Sequence, residues 1–327
     1  MNEYVSIVMP LYNEERYIKK CLDSLLLQDY SLDLMEWIFV DGGSTDRTKD
    51  ILCEYRAKYP KLIQIYDNPH KTVPYAMNIG IEKATGKYII RLDAHADYQK
   101  DYIRKCVYYL NKTGADNVGG VAETKSKGKI GKAIALMLSS KFGVGNSQFR
   151  TNGMSGYVDT VPFGAFRREV FEKWGGYDER LTRNQDNEMN YRIRKNGGKI
   201  YLSDEIRFSY YCRDSLKGIC DMAVKNGMWN VITMRLCPGS MGMRHFIPLF
   251  FLLSLIFMPL FGILFIPIKY LFGTEIALYF LLDIYFSLKQ KDSIKSFFLL
   301  LILFPAFHIS YGAGSLLGLY KLLFSKI

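Results

Sequence analysis

The sequence lacks the patterns of several common functional classes. Its six cysteines include no CxxC pair and have no histidine at zinc-site spacing, so we expect reduced, buried thiols. Lysine and arginine form no run interleaved with aromatic residues, so we expect no nucleic-acid partner. The first apolar run is followed by PLYNEE instead of GxGxxG, the phosphate-binding pattern of nicotinamide-dependent dehydrogenases.

The N-terminus also lacks the pattern of a signal peptide. The stretch MNEYVSIVMP has an acid at position 3 and only a few apolar residues before Pro10. We therefore expect residues 1–240 to form a domain that faces the cytoplasm, followed by a membrane region over residues 241–327.

Long stretches without charge indicate this membrane region. Residues 246–268 contain no charged side chain, and in residues 297–320 the one side chain that could carry a positive charge is His308. Each stretch could therefore cross the roughly 30 Å hydrocarbon core of a bilayer. Residues 271–288 are apolar but include Glu275 and Asp283. For this segment a third span and a helix in the interface are alternatives, and we favour the span. The sequence thus predicts a multi-pass protein of the cell membrane with two to three helices.

The chain is strongly basic, with a net charge of +11. Residues 245–327 contribute +3 of this charge, which leaves +8 on the residues before them. A basic domain beside a membrane suits a surface of anionic lipid or substrates that carry phosphate.

Short apolar runs alternate with helical patterns over the first hundred residues. The runs are VSIVM at 5–9, EWIFV at 36–40, LIQIY at 62–66 and KYIIRL at 87–92. This alternation predicts an α/β fold with a doubly wound, mostly parallel sheet and helices on both faces. Ligands of such sheets bind outside the carboxyl ends of the strands, where YNEE, DGGSTD and LDAHAD stand here.

The octet RLDAHADY at 91–98 holds a candidate metal site. If the strand continues, Asp93, His95 and Asp97 point to one side, and carboxylate with imidazole suits Mn²⁺ or a similar divalent ion. The alternative is a turn at the strand end with solvated acids.

Two further carboxylates have functional and structural interpretations. Asp41 directly follows the second strand, where it could accept hydrogen bonds from a nucleobase or a ribose, or only stabilise a tight turn. Asp186, near the start of the predicted helix 186–195, could act as a general base or belong to a surface helix of mixed charge.

The order of these motifs resembles that of the family 2 glycosyltransferases, which have the GT-A fold. The resemblance lies in SIVMPLYNEERYIKKCLDSLLLQ, FVDGGSTDRT, the DxD-like site, GGYDERL and QDNEMNYRIRKNGG, and it spans residues 5–320. The segments RLDAHA, VDTVPFGAFRR and HISYGAGSLLG are similar to those of the succinoglycan-type exopolysaccharide glucosyltransferases.

The resemblance implies a role for each matching residue. Asp186 would be the base that deprotonates the acceptor hydroxyl, with inversion at the anomeric carbon. Asp93 and His95 would hold Mn²⁺ or Mg²⁺, which bridges the diphosphate of a UDP-sugar. The implied contacts with the nucleotide sugar are Pro10, Tyr12, Glu14, Asp41 and Asp93. Further candidate substrate contacts are Gly164, Gln185, Trp229 and Arg150, where Arg150 could add charge stabilisation or only cover the surface.

The sequence departs from the family pattern at three places. The usual DxD is DxH, and Gln185 replaces the glutamate that usually precedes the base. Processive synthases carry QxxRW, whereas KNGMW stands here at 225–229. We therefore expect transfer of a single hexose, with glucose favoured, to an oligosaccharide on polyprenyl diphosphate in exopolysaccharide or capsule synthesis. The alternatives are a processive polysaccharide synthase, a nucleotide-binding dehydrogenase and a non-catalytic membrane-anchored binding module.

Overall fold

The computed structural model describes residues 3–151 and 153–324. The chain divides into two compact units, which we treat separately. The first comprises Met1–Glu123 and Asn152–Tyr210, and the second comprises Thr124–Thr151 and Tyr211–Ile327. The predicted boundary near residue 240 stays a prediction, because compactness does not mark where a membrane begins.

The strands form one mixed sheet within the described residues. The strands are β1 Val5–Leu11, β2 Met35–Asp41, β3 Ile63–Asp67, β4 Tyr88–Arg91, β5 Ala96–Tyr98, β6 Asn117–Lys125, β7 Gly156–Tyr157, β8 Ala165–Arg167 and β9 Ile200–Tyr211. Their order is β3-β2-β1-β4-β8-β6-β9-β5, with β7 paired to β9.

The first four strands are parallel and form the predicted doubly wound part of the sheet. Every residue of β2 and β4 is buried, as expected for strands covered on both faces. Helix packing on β1 is close, because a Cβ at Gly80 would lie 2.3 Å from Val8 Cγ1. The pairs β4–β8, β6–β8, β5–β9 and β7–β9 are antiparallel and extend this core.

The described residues form twelve α-helices. They are α1 Ile18–Leu26, α2 Thr48–Lys58, α3 Val73–Lys83, α4 Tyr102–Thr113, α5 Gly128–Leu138, α6 Lys141–Val144, α7 Arg168–Trp174, α8 Gln185–Lys195, α9 Leu216–Leu236, α10 Ile247–Leu264, α11 Ile266–Gln290 and α12 Ile294–Phe324. Short 3₁₀ turns cover Leu32–Leu34 and Met243–Phe246.

The second unit combines apolar helices with helices that carry charge. One hydrophobic cluster joins α5, α9 and α12 through Ala133, Ile134, Met137, Leu138, Ile219, Ala223, Leu300, Leu303, Phe304 and Phe307. Three segments are long and apolar enough to cross a membrane, namely Met243–Leu264, Ile266–Gln290 and Ile294–Phe324. The expected α/β fold with apolar C-terminal helices is confirmed.

The cysteines are free thiols. Cys21 and Cys106 are buried as expected, whereas Cys53 on α2 is exposed. Burial raises the pKa of the Cys21 thiol and of the Cys106 thiol, which keeps both protonated and unreactive.

Candidate active site

An open cleft lies at the carboxyl ends of β1, β2 and β4, where the sheet was expected to bind its ligand. It is lined by Pro10, Leu11, Tyr12, Glu14, Gly42, Asn68, Lys71, Thr72, Val73, Ala76, Asp93 and His95. Five of the predicted site residues therefore share one cleft, although they come from sequence segments about 80 residues apart.

The loops after β1 and β2 are joined by hydrogen bonds that shape one wall of this cleft. The Asn13 backbone amide donates to Ser44 Oγ at 2.9 Å, and Asn13 Oδ1 accepts from the Thr45 amide at 2.8 Å. Thr48 Oγ1 accepts from the Glu14 amide at 2.7 Å. Asn13 adopts the left-handed conformation, with φ 55°, that Asn tolerates better than most residues.

Asp41 makes the hydrogen bonds of a tight turn. Its carboxylate accepts from the backbone amides of Gly43 and Ser44, at 3.2 and 3.1 Å, and from Ser44 Oγ at 2.5 Å. The residue is 1% exposed, while its neighbour Gly42 lines the cleft. The geometry supports the turn-stabilising interpretation, and a contact of Asp41 with a nucleotide stays a prediction.

Asp93 and His95 lie in the turn between β4 and β5 rather than on a continuous strand. The alternation that would point Asp97 to the same side is therefore broken. Asp97 lies on β5, and its carboxylate is paired with Lys20. The structure brings Asp93 and His95 to the cleft wall, whereas the described lining does not include Asp97.

The donor groups at this turn are of types that bind divalent cations. His95 Nδ1 lies 3.2 Å from Glu14 Oε1. A carboxylate beside one ring nitrogen orients the imidazole, a common arrangement around ligating histidines. Within residues 3–151 and 153–324, no group of three or more His, Cys, Asp or Glu side chains could hold a metal ion. Asp93 and His95 therefore remain candidate ligands of the kinds that divalent cations take, a carboxylate and an imidazole.

Arg91 connects Asp93 with Asp186. It is the last residue of β4, is 4% exposed, and donates from its guanidinium to the Asp186 carboxylate and, at 3.4 Å, to Asp93 Oδ1. Its guanidinium carbon also lies 5.7 Å from the centre of the Phe163 ring. One planar cation therefore fixes two carboxylates from segments that are 93 residues apart.

Asp186 is in the first turn of α8. The helix begins after Asn184, which adopts the left-handed conformation with φ 62°. Burial raises the pKa of the Asp186 carboxyl, Arg91 lowers it, and the charge of Asp93 raises it, with a net upward shift. A carboxylate with a raised pKa is a stronger proton acceptor than an exposed aspartate.

Comparison with known sequences identifies the family. The profile of glycosyl transferase family 2 matches residues 6–175, which is more than half of the chain. The chain belongs to this family. The match includes the cleft and Arg91 but ends before Asp186.

Two relatives show the range of the family that lies near this chain. The succinoglycan biosynthesis protein ExoA of Rhizobium meliloti is 33% identical over 64% of this chain and 64% of its own length. A dolichyl N-acetyl-alpha-D-glucosaminyl phosphate 3-beta-D-2,3-diacetamido-2,3-dideoxy-beta-D-glucuronosyltransferase of Methanococcus voltae is 30% identical over 86% of this chain and 92% of its own length. The names of both relatives describe roles in the synthesis of glycans.

A solved structure supports the GT-A fold over the full length. The mannosyltransferase PcManGT of Pyrobaculum calidifontis, in complex with GDP-Man and Mn²⁺, aligns with a TM-score of 0.66. The alignment covers 100% of this chain and 89% of that protein at 17% identity. At this identity the likeness shows the shared fold, and the donor and metal of this glycosyltransferase are treated below as proposals.

The other predicted substrate contacts of the glycosyltransferase lie at different places. The Gly164 carbonyl accepts a hydrogen bond from the Arg91 amide at 3.0 Å, and a Cβ added at Gly164 would lie 2.2 Å from Asn117 Oδ1, so a larger residue would displace the Asn117 side chain. Gln185 is 9% exposed, and among the described residues its Oε1 has no hydrogen-bond partner. Arg150 and Trp229 belong to the second unit, and their contact with substrate stays a prediction.

Arg91 was not among the predicted site residues of the glycosyltransferase. The sequence gives only a weak signal for a role of Arg91, because a basic residue at the end of an apolar strand normally lies where the chain leaves the core for solvent. Its position between two carboxylates becomes visible only when β4 and α8 are brought together.

Proposed function

We propose that the protein is an inverting glycosyltransferase that transfers one hexose from a UDP-sugar to an oligosaccharide on a membrane lipid. The observation that supports this most directly is the guanidinium of Arg91, which contacts both Asp93 and Asp186. The group proposed to bind the cation and the group proposed to accept the proton thus belong to one site.

Asp186 acts as the general base in this proposal. The acceptor hydroxyl oxygen forms a bond to the anomeric carbon of the donor while the bond from that carbon to the diphosphate breaks. The hydroxyl proton passes to the Asp186 carboxylate, and attack from the side opposite the leaving group inverts the anomeric configuration. Arg91 keeps this carboxylate in position and opposes its protonation in the resting enzyme.

Asp93 and His95 hold the divalent cation, Mn²⁺ or Mg²⁺. When bound, the cation offsets the negative charge that develops on the departing nucleoside diphosphate. Glu14 orients His95, and the loops joined by Asn13 and Ser44 form the wall against which the nucleotide packs. Pro10, Tyr12 and Gly42 also line this wall.

A lipid-linked acceptor agrees with the long apolar helices of the second unit. An acceptor held at the membrane surface meets an anchored enzyme at a much higher local concentration than a free one would. The names of the two relatives also place their activity in exopolysaccharide synthesis and in transfer to a dolichyl-linked sugar. We propose a cell-membrane location with the catalytic unit on the cytoplasmic face, where nucleotide sugars are available.

Purified full-length protein tests the proposal with a panel of UDP- and GDP-sugars, with Mn²⁺, with Mg²⁺ and with a chelator. We expect metal-dependent hydrolysis or transfer with one UDP-hexose, and a loss of about 10²–10⁴-fold in Asp186→Asn with donor binding retained. Asp33→Asn, an equivalent change at an exposed position of the same unit, is the matched control. Turnover of no nucleotide sugar, or equal rates for Asp186→Asn and its parent, would contradict the proposal.

The second candidate function is a processive polysaccharide synthase, and the length of the product distinguishes it. A single added sugar supports the proposal, while a ladder of products supports the synthase. The family assignment leaves no support for a dehydrogenase. A binding module without catalysis predicts UDP affinity without turnover, which the same panel measures.

A further inference from the structure

The third apolar helix, α12, lies against two helices that carry charge. Its Leu300–Phe307 segment shares the hydrophobic cluster with α5 and α9. Further along, a Cβ at Gly314 would lie 2.0 Å from the Val224 carbonyl oxygen of α9, and one at Gly318 would lie 2.6 Å from that of Met228. Such distances require direct backbone contact between α9 and α12, so α5 and α9 together flank α12 from Leu300 to Gly318.

The face of α9 that does not contact α12 is charged. Lys217, Asp221 and Lys225 are exposed and recur at four-residue spacing, so they form one stripe along the helix. On α5, Lys129 and Lys132 are also exposed. The two helices that cover α12, α5 and α9, therefore carry exposed charged side chains beside the central part of α12.

This arrangement is incompatible with α12 as a membrane span. If α12 crossed the bilayer, Asp221 and Lys225 would lie near the middle of the hydrocarbon, where a charged side chain is strongly disfavoured. A lysine can extend towards the headgroups, but the short aspartate side chain cannot. Outside the covered segment only residues 294–299 and 319–324 remain in the helix, and neither piece approaches the roughly 20 residues that a span needs.

The pair α10–α11 is much less covered by the rest of the protein, and its two acids, Glu275 and Asp283, accept hydrogen bonds from Ser254 and Ser287 within the pair. α10 has 18 residues, a length of about 27 Å, and only 6% of its span is buried within the protein, against 11% for α11 and 33% for α12. The two helices pack antiparallel, with Phe251 stacked on Tyr279 and Ser254 hydrogen-bonded to Glu275. α12 meets this hairpin near its base, where a Cβ at Gly312 would lie 2.4 Å from the Pro248 carbonyl oxygen.

The uncovered face of α12 is apolar. Phe298, Ile302, Ile309 and Tyr320 are exposed and fall on one side of the helix, opposite the buried Leu300, Leu303, Phe307, Gly314 and Gly318. An exposed apolar stripe beside exposed lysines is the pattern of a helix that lies in the headgroup region with its apolar face in the acyl chains.

We propose that only the α10–α11 hairpin crosses the membrane, and that α12 lies in the plane of the leaflet on the side of the catalytic unit, with Phe298, Ile302, Ile309 and Tyr320 in the lipid. The partner of this surface is the bilayer itself. Both ends of the membrane region then lie on the same face, in contrast to an arrangement with three spans.

Site-directed labelling distinguishes the two arrangements. Lys269→Cys places a thiol near the hairpin tip, and Lys321→Cys places one near the end of α12, both at exposed positions. The native, exposed Cys53 marks the face of the catalytic unit in the same sample. Full-length variants in inverted and right-side-out membrane vesicles are treated with a membrane-impermeant maleimide, and each cysteine is quantified by peptide mass spectrometry.

We expect position 321 to be labelled from the same face as Cys53, and position 269 from the opposite face. Labelling of position 321 together with position 269 would overturn the proposal in favour of three spans. Labelling of position 269 from the Cys53 face would overturn it as well, because the hairpin would then not cross.

A depth measurement gives an independent test with the protein in vesicles of phosphatidylethanolamine and phosphatidylglycerol. Nitroxide labels are attached through Phe298→Cys, Ile309→Cys or Tyr320→Cys, and their depths are obtained from collisions with oxygen and a nickel chelate. An in-plane helix gives three similar depths. A span would separate the first and third labels by roughly 33 Å along the helix axis, and depths that vary in that way would refute the in-plane placement.

Discussion

The two units of the protein differ most clearly in charge. The first unit has 26 basic and 27 acidic side chains, whereas the second has 17 basic and five acidic ones. The whole positive excess of the chain thus belongs to the unit with the apolar helices. The +8 expected on the residues before 245 stands, but the excess lies in residues 124–151 and 211–244. This placement favours anionic headgroups over donor phosphates as the partner of that charge.

The two units also differ in the kind of close contact found inside each of them. In the first unit a buried arginine joins two carboxylates, an arrangement that is costly to bury and is typical of functional sites. In the second unit glycines allow helix backbones to touch, which is typical of helices packed in or on a membrane. Changes at these positions should therefore have different consequences, and we describe them from the largest expected effect to the smallest.

The largest effect is expected for Arg91→Met. The substitution keeps the packing against Phe163 but leaves the charges of Asp93 and Asp186 without their shared partner. We expect a loss of about 3 kcal/mol in the free energy of unfolding, at the low end for a broken buried pair because both carboxylates keep some access to water. Glycosyl transfer should fall at least a hundredfold. Denaturant unfolding and transfer assays measure the two effects.

Two variants control this experiment. Arg91→Lys keeps the charge but not the forked geometry, so its loss should be intermediate. Lys19→Gln removes an exposed ion pair with Asp23 and should leave both stability and transfer nearly unchanged. A parent-like Arg91→Met would show that the guanidinium does not organise the site.

The second prediction concerns helix packing in the second unit. Gly314→Val should push α12 away from the Val224 carbonyl of α9, and overpacking of this kind costs about 1–3 kcal/mol. We expect a lower melting temperature in detergent. Gly273→Ala on α11 adds a methyl group where no atom lies within 4 Å, and it should have no such effect. Equal melting temperatures for Gly314→Val and the parent would contradict the close α9–α12 contact.

The sequence predicted the parts of this fold that depend on local patterns. The parallel strands β1 to β4 and helices α3 and α8 follow from apolar runs and periodicity within single segments. The grouping of Pro10, Glu14 and Asp93 follows from the rule that strand ends meet at one edge of a parallel sheet.

The remaining features depend on contacts between distant segments. Arg91 pairs with Asp186 across 95 residues, and no local pattern encodes that contact. The antiparallel strand β5 has three residues, too few for a periodic signal, and the end of β4 at Arg91 breaks the alternation that would have placed Asp97 beside Asp93 and His95. The association of α5 with α12 likewise joins segments more than 150 residues apart.

The third prediction tests whether the positive charge of the second unit binds anionic lipid headgroups. Lys129→Gln combined with Lys132→Gln should lower the preference of the reconstituted protein for spin-labelled phosphatidylglycerol over phosphatidylcholine, by up to roughly fivefold per lysine. Lys61→Gln combined with Lys100→Gln removes two exposed lysines from the first unit and should not change the preference. An equal decrease in both double variants would mean that the lipids respond only to total charge.

The smallest effect is a displacement of the pH profile of transfer. Because the pKa of Asp186 is raised, its carboxylate becomes protonated at a higher pH than an exposed aspartate, whose pKa is about 3.9. A base must be deprotonated, so kcat should fall as the pH decreases, with a midpoint above that value. In Arg91→Met the midpoint should move to still higher pH, since Arg91 lowers this pKa. Measuring the pH profile at two saturating Mn²⁺ concentrations separates protonation of Asp186 from loss of metal at Asp93. If the midpoint of the acidic decrease in kcat changes with the Mn²⁺ concentration, the decrease belongs to the metal site instead.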